Sequence, residues 1–187
     1  MCGSSFPSTT QRWTSSGRAT DHRDRRPTIL PGVTRAYVGL GANLGDREAT
    51  IRRALVLLGE RPGVEILLVS TLRETAPVGF LDQPPFLNGA AMLETSLDPA
   101  SLLAELLAVE LVLGRRRGAE RNGPRTIDLD LLVYGEDIVD EPGLTVPHPR
   151  LHERAFALEP LAELDPDLRI PGRGTVAEAL AGLDSAG

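Results

Sequence analysis

The strongest constraint on the fold is the order in which the apolar periodicity of this chain switches between residues 34 and 135. TRAYVGLG opens as a short strand over 34–40, and GANLGD turns the chain. Asp46 is a good helix cap, and Ile51, Ala54, Leu55 and Leu58 follow at helical spacing until Gly59 and Pro62-Gly63 end the run. VEILLVSTLRET (64–75) reads as a strand, and APVGFLDQPPF (76–86) as a loop punctuated by proline and glycine. LNGAAMLETS (87–96) is a third strand. Asp98-Pro99 then caps a helix through Leu102, Leu103, Leu106, Leu107 and Glu110 to Leu113. After the polar loop GRRRGAERNG (114–123), GPRTIDLDLLVYG (123–135) alternates: Ile127, Leu129, Leu131 and Val133 fall on one face, Asp128 and Asp130 on the other.

The order is β-α-β-β-α-β, which predicts an α+β, ferredoxin-like core: an antiparallel sheet with helices packed on one face. C-terminal additions follow, with a weak strand near Ile138-Val139 and helices near 150–164 and 175–183. Residues 1–33 are rich in Ser, Thr, Arg and Pro without apolar periodicity, and are expected to be a disordered extension. Residues 34–187 are expected to form a single domain.

Composition removes several functions. All 20 basic residues are arginines, so a Walker A lysine and a Schiff-base lysine are excluded. Any phosphate must be handled by arginine. The net charge of −6 argues against a protein that coats nucleic acid. No apolar run has the length of a membrane span. Cys2 is the sole cysteine, which fits a reducing cytoplasm and rules out an intrachain disulfide.

Asp128 and Asp130 stand about 7 Å apart on one strand face and repel each other when ionised. Strand-borne carboxylates without nearby Cys or His suit Mg²⁺, which fills its shell with water and phosphate oxygens. Taken alone, they are equally two solvated acids on an open sheet face. Arg115, Arg116, Arg117, Arg121 and Arg125 lie just before them, and guanidinium forks match phosphate oxygens. Acids and arginines together favour a phosphate site, for a phosphoryl transferase or a Mg²⁺-dependent phosphohydrolase. The fold alone is equally that of a non-catalytic binding module. GLGANLG (39–45) has the spacing G-x-G-x-x-x-G and reads as a tight turn, not a dinucleotide fingerprint. His148 and His152 flank Pro149 and match no zinc motif. Phe86 and Phe156 are core residues by default, although Phe86 has the amide Asn88 as a near neighbour.

GLGANLGD, ETAPVGFLDQPPFLN, LGRRR…GPRTIDLDLLVYG and LTVPHPRLHERAFAL, in this order, resemble the 6-hydroxymethyl-7,8-dihydropterin pyrophosphokinase family from about residue 35 to about 170. The resemblance implies transfer of the β,γ-pyrophosphoryl group of ATP to the hydroxymethyl oxygen of the pterin, in folate biosynthesis. AMP and the pterin diphosphate are the implied products. It implies two Mg²⁺ ions held by Asp128 and Asp130, with Arg115 and Arg125 as catalytic phosphate contacts and Arg117 as a further one. His148 and Arg154 would bind ATP, with Glu110, Leu131 and Thr145 beside the nucleoside. Thr75, Val78 and Asn88 would read the pterin edge, the valine through its backbone, while Phe86 and Phe156 stack on its faces. A cytoplasmic monomer acting on these two small molecules is expected, with no nucleic-acid or membrane partner. Asn122, Gly118 and Pro149 stand where some relatives carry tryptophan, a basic residue and tyrosine.

Overall fold

The computed structural model describes residues 11–12, 32–77, 79–115 and 123–185. Ten strands and four helices occur among these residues. They are β1 (Gln11–Arg12), β2 (Thr34–Ala42), α1 (Arg47–Gly59), β3 (Val64–Val69), β4 (Arg73–Thr75), β5 (Phe86–Thr95) and α2 (Pro99–Val112). There follow β6 (Asp128–Tyr134), β7 (Val139–Glu141), β8 (Leu144–Val146), α3 (Ala155–Leu164), β9 (Arg169–Ile170), β10 (Gly174–Thr175) and α4 (Val176–Asp184). A 3-10 turn over Leu151–Glu153 precedes α3. The main sheet has the order β1-β3-β5-β2-β6, with β4 also paired to β5, and its ladders are antiparallel. The β-α-β-β-α-β core expected from the sequence is therefore present, with its second strand split into β3 and β4. Residues 1–10 and 13–31, most of the expected extension, lie outside the described residues.

The helices begin where their caps dictate. Asp46 accepts a hydrogen bond from the Ala49 N–H at 3.0 Å, and Asp98 from that of Ser101 at 2.9 Å. Each satisfies a donor that the first helical turn leaves unpaired. α1 and α2 bury Ile51, Leu55, Leu58, Leu102 and Leu106 against Val38, Leu40, Leu129 and Leu131 on one sheet face.

The opposite face is not open, contrary to the one-sided packing expected from the sequence. Leu158 and Leu161 of α3 and Val176 of α4 pack there against Tyr37, Met92, Leu132 and Val133. This second helical layer follows from the C-terminal additions, whose apolar residues need a surface to bury against.

A bulge corrects the expected alternation of β6. Val38 pairs with Leu131 while Tyr37 pairs with Val133, so Leu132 is an extra residue. Ile127, Leu129 and Leu131 face α1 and α2, but Leu132 and Val133 both join the α3 layer, and Tyr134 returns to the first. An extra residue leaves a ladder group unpaired and re-aims the strand. Here the Leu132 carbonyl accepts the His148 N–H at 2.9 Å. The bulge thus brings the Pro147–His148 segment alongside β6.

Candidate active site

At the end of the sheet nearest the start of α3, the second layer stops short and leaves a cleft of about 430 Å³. Asp128 and Asp130 face into it, because they alternate with Leu129 and Leu131 on the buried side. On the neighbouring strand, Gly41 pairs with Asp128 and Gly39 with Asp130. Gly39 and Gly41 are thus strand residues, and the expected tight turn begins only at Asn43. Their lack of side chains keeps the cleft floor low. A Cβ at Gly41 would lie 2.9 Å from Asn88 Oδ1, and one at Gly39 would lie 3.3 Å from Leu132.

Arginines surround the two acids. Arg115, just after α2, reaches Asp128 at 2.6 Å and also pairs with Glu110. Arg125, in the run leading into β6, reaches Asp128 at 2.5 Å. Arg154, one residue before α3, lies 3.5 Å from Asp130. Glu110 is 3% exposed and sits beneath this cluster, where it accepts the Leu129 N–H at 2.7 Å. Burial raises the Glu110 carboxyl above its ordinary range, against the opposing pull of the Leu129 N–H and Arg115. Arg115 loses hydration by partial burial, yet Asp128 and Glu110 hold its pKa above the ordinary value.

Asp130 is pushed up to about 6, first by burial and then by the charge of Asp128, while Arg154, Arg125 and Arg115 oppose the shift. Its ionised form therefore lacks full compensation from the side chains alone, which is where a cation is stabilised. Among the described residues no group of three His, Cys, Asp or Glu is arranged to hold a metal. A pair of carboxylates facing a cleft lined by phosphate-matching arginines fits Mg²⁺, which completes its shell from water and phosphate. His148 is pushed down to about 4, by burial and then by Arg154. Its Nδ1 accepts the Arg150 N–H at 3.2 Å, so the neutral ring carries its proton on Nε2.

The other side of the cleft is aromatic and amide-lined. Phe86 and Asn88 come from β5, Thr75 from β4 and Phe156 from α3. Asn88 is 8% exposed and donates to Thr75 Oγ1 at 2.7 Å. The Arg125 guanidinium lies 5.9 Å from the Phe86 ring centre, and that of Arg154 lies 5.7 Å from Phe156. The aromatic and phosphate-matching halves are therefore contiguous.

Most residues singled out in the sequence meet here: Thr75, Phe86, Asn88, Arg115, Arg125, Asp128, Asp130, His148, Arg154 and Phe156 all line the cleft. Leu131 does not, since its side chain packs in the core against α1 and α2. Thr145 is exposed on β8, where its hydroxyl donates to Asp140 at 3.4 Å, and it is not part of the lining. Val78, Arg116, Arg117, Gly118, Arg121 and Asn122 lie outside the described residues. Gly41, Ala76, Arg150 and Glu153 also line the cleft and were not singled out. The alternating glycines of β2 were the available signal for Gly41, because a strand that omits side chains on one face leaves room there.

The family model described as 7,8-dihydro-6-hydroxymethylpterin-pyrophosphokinase (HPPK) matches residues 37–166. The 2-amino-4-hydroxy-6-hydroxymethyldihydropteridine pyrophosphokinase of Pseudomonas aeruginosa is 46% identical over 149 residues, covering 80% of this chain and 91% of that protein. The protein of the same name from Methylorubrum extorquens is 46% identical over 155 residues, covering 83% and 97%. A solved HPPK-DHPS structure in complex with substrates superposes with a TM-score of 0.64 at 12% identity, over 82% of this chain. The chain spans 44% of that longer one, and at this identity the likeness speaks for the fold alone.

Proposed function

This chain belongs to the 7,8-dihydro-6-hydroxymethylpterin-pyrophosphokinase family, and we propose that it transfers the β,γ-pyrophosphoryl group of ATP to 6-hydroxymethyl-7,8-dihydropterin, giving the pterin diphosphate and AMP. The observation that carries this reading is the junction of two unlike half-sites in one cleft. Phe86, Phe156, Asn88 and Thr75 suit a flat, hydrogen-bonding heterocycle, and Arg115, Arg125, Asp128 and Asp130 suit a metal-bound polyphosphate. A small alcohol held on the first half presents its oxygen to phosphorus held on the second.

In this reading the pterin hydroxymethyl oxygen bonds to the β-phosphorus as the bond from that phosphorus to the α,β-bridging oxygen breaks. The alcohol loses its proton to solvent water, and AMP carries away the bridging oxygen. Asp128 and Asp130 would hold two Mg²⁺ ions. Bound there, Mg²⁺ neutralises phosphate oxygens and stabilises the charge redistributed during transfer. Arg115 and Arg125, paired with Asp128 in the structure, exchange that partner for phosphate oxygens and keep their charge throughout. Arg117 is a further phosphate contact. His148 stays neutral and offers Nε2–H to the nucleotide, as a hydrogen-bond donor and not as a cation. Arg154 supports both halves, since it contacts Asp130 and Phe156. Glu110 acts from below by holding Arg115 and the Leu129 backbone in place. Thr145 and the Leu131 backbone would lie by the nucleoside, and the Val78 backbone by the pterin. Positioning and charge neutralisation carry phosphoryl transfer, so no strong base is required.

We further propose that residues 34–187 form the single catalytic domain and that it works as a cytoplasmic monomer. The single cysteine fits a reducing compartment, and no described helix is long and apolar enough to cross a membrane. The assignment is tested by incubating the chain with ATP, Mg²⁺ and the hydroxymethyl pterin and identifying the nucleotide product. AMP supports it, and ADP alone would sink it.

A further inference from the structure

The NLGD turn (43–46) between β2 and α1 has no part in the chemistry above, yet it carries a fully bonded buried amide. Asn43 is 2% exposed. Its Nδ2 donates to Gln83 Oε1 at 2.9 Å and to the Pro84 carbonyl at 3.1 Å. Its Oδ1 accepts the Arg125 N–H at 2.8 Å, and its own backbone N–H donates to the Arg125 carbonyl at 3.1 Å. One residue therefore holds both backbone polar groups of Arg125 and, on its other side, Gln83 and Pro84 of the segment that leads into β5.

We propose that Asn43 is a positioning residue that couples the loop beside the pterin half-site to Arg125 in the phosphate half-site. Gln83 and Pro84 lie just before Phe86, the ring beneath the Arg125 guanidinium. A shift of this loop moves Phe86, and through Asn43 it moves the backbone that carries Arg125. Arg47, in the first turn of α1, donates to the Pro85 carbonyl at 2.8 Å and to Glu74 of β4 at 2.8 Å, so it ties the end of this segment to the strand before it. Gln83, Pro84 and Pro85 are thus bonded to the turn and to α1, and the Asn43 amide links them to Arg125. Misplacing a reacting or stabilising group by about 1 Å costs about a hundredfold in rate, so the coupling has a kinetic consequence beyond stability. A residue that only pinned the fold would lower the melting temperature and leave the properties of each folded molecule alone.

The proposal rests on the pterin and phosphate placements above, and the test separates the two. The intact chain is compared with Asn43→Ala and Gln83→Ala. The pterin Kd is read from pterin fluorescence, the Kd of a non-hydrolysable ATP analogue with Mg²⁺ by calorimetry, and kcat at saturation. Asn43→Ala is expected to weaken pterin binding about tenfold and to lower kcat about tenfold or more, with the analogue held within about twofold. Gln83→Ala removes one of the two Asn43 links to this segment and keeps the Pro84 and Arg125 bonds, and is expected to weaken pterin binding and to lower kcat about threefold each. Asn43→Ala that changes only the melting temperature would overturn the coupling. So would an unchanged pterin Kd in Gln83→Ala, which decides the matter if Asn43→Ala does not fold. If the unaltered chain makes no AMP, the placements themselves fail, whatever the variants do.

Discussion

The two aspartates show most directly how function sets residue choice against stability. Ionised Asp130 is disfavoured by burial and by Asp128. Its folded-state pKa of about 6 lies above the ordinary value of 3.8, so the protonated form favours the fold. That contribution is fully present below 3.8 and is lost as pH rises through about 6. At pH 7, Asp130→Asn should therefore raise the melting temperature slightly in Mg²⁺-free buffer and, with Mg²⁺ supplied, lower turnover about a thousandfold or more. Calorimetric unfolding and a product assay on the same preparation check both halves. A fall in melting temperature with turnover retained would contradict the assignment. His148 has the opposite slope. Its folded pKa of about 4 lies below the ordinary 6.5, so stability present above 6.5 is lost as pH falls toward 4. His148→Asn should flatten the acid limb of melting temperature against pH over that window. Arg125→Ala should lower kcat about a hundredfold or more while changing the Kd of ATP far less, if the guanidinium acts mainly in the transition state. Equal losses would assign it to binding. Gly41→Ala sets a Cβ 2.9 Å from Asn88 Oδ1 and should raise the KM for the pterin with little effect on that for ATP.

At the scale of elements, what was legible depended on whether the signal was local. Caps at Asp46 and Asp98, and the helical spacing after each, located α1 and α2 because a cap bond forms within one turn. The alternation of 127–131 correctly put Asp128 and Asp130 on one face, because pleat geometry is local too. The Leu132 bulge was not legible. Nothing in TIDLDLLVY marks an extra residue, and only the pairing of β6 with β2 reveals it. The same holds for the break between β3 and β4, where Ser70 folds back to donate to the Thr71 carbonyl and to accept the Ala90 N–H. The α3 layer was legible as helices but not as the cover of the second sheet face, since a partner surface is a tertiary fact. That cover carries Phe156 and flanks Arg154, so its packing bears on the cleft. Leu161→Ala, at a position with 0% exposure, should cost about 2–5 kcal/mol in urea unfolding. A change under about 0.5 kcal/mol, the range typical of surface positions, would mean that α3 does not belong to the core.

Across the whole molecule, the site is a meeting of segments far apart in the chain. Thr75 and Asn88, Arg115 and Arg125, and His148 to Phe156 come together only because the sheet order sets β2 between β5 and β6, with β4 on the far edge of β5. Residue chemistry could nominate the acids and arginines as a phosphate site. It could not place Phe86 and Phe156 beside the acids; both line the cleft, and Phe156 also packs against the core under α3. The resemblance of whole motifs supplied what spacing could not, and the match over residues 37–166 bears out the family. The formal charge of −6 hides a local concentration of arginine at the cleft, and polyphosphate meets that local field, not the net charge. Chelation of Mg²⁺ should abolish turnover, and its restoration should bring turnover back. Transfer of two phosphoryl groups in one step is tested directly by phosphorus NMR of a mixture of the chain, ATP, Mg²⁺ and 6-hydroxymethyl-7,8-dihydropterin. AMP and a pterin diphosphate are expected to appear in equal amounts. ADP with a pterin monophosphate, or free phosphate formed without the pterin, would contradict it.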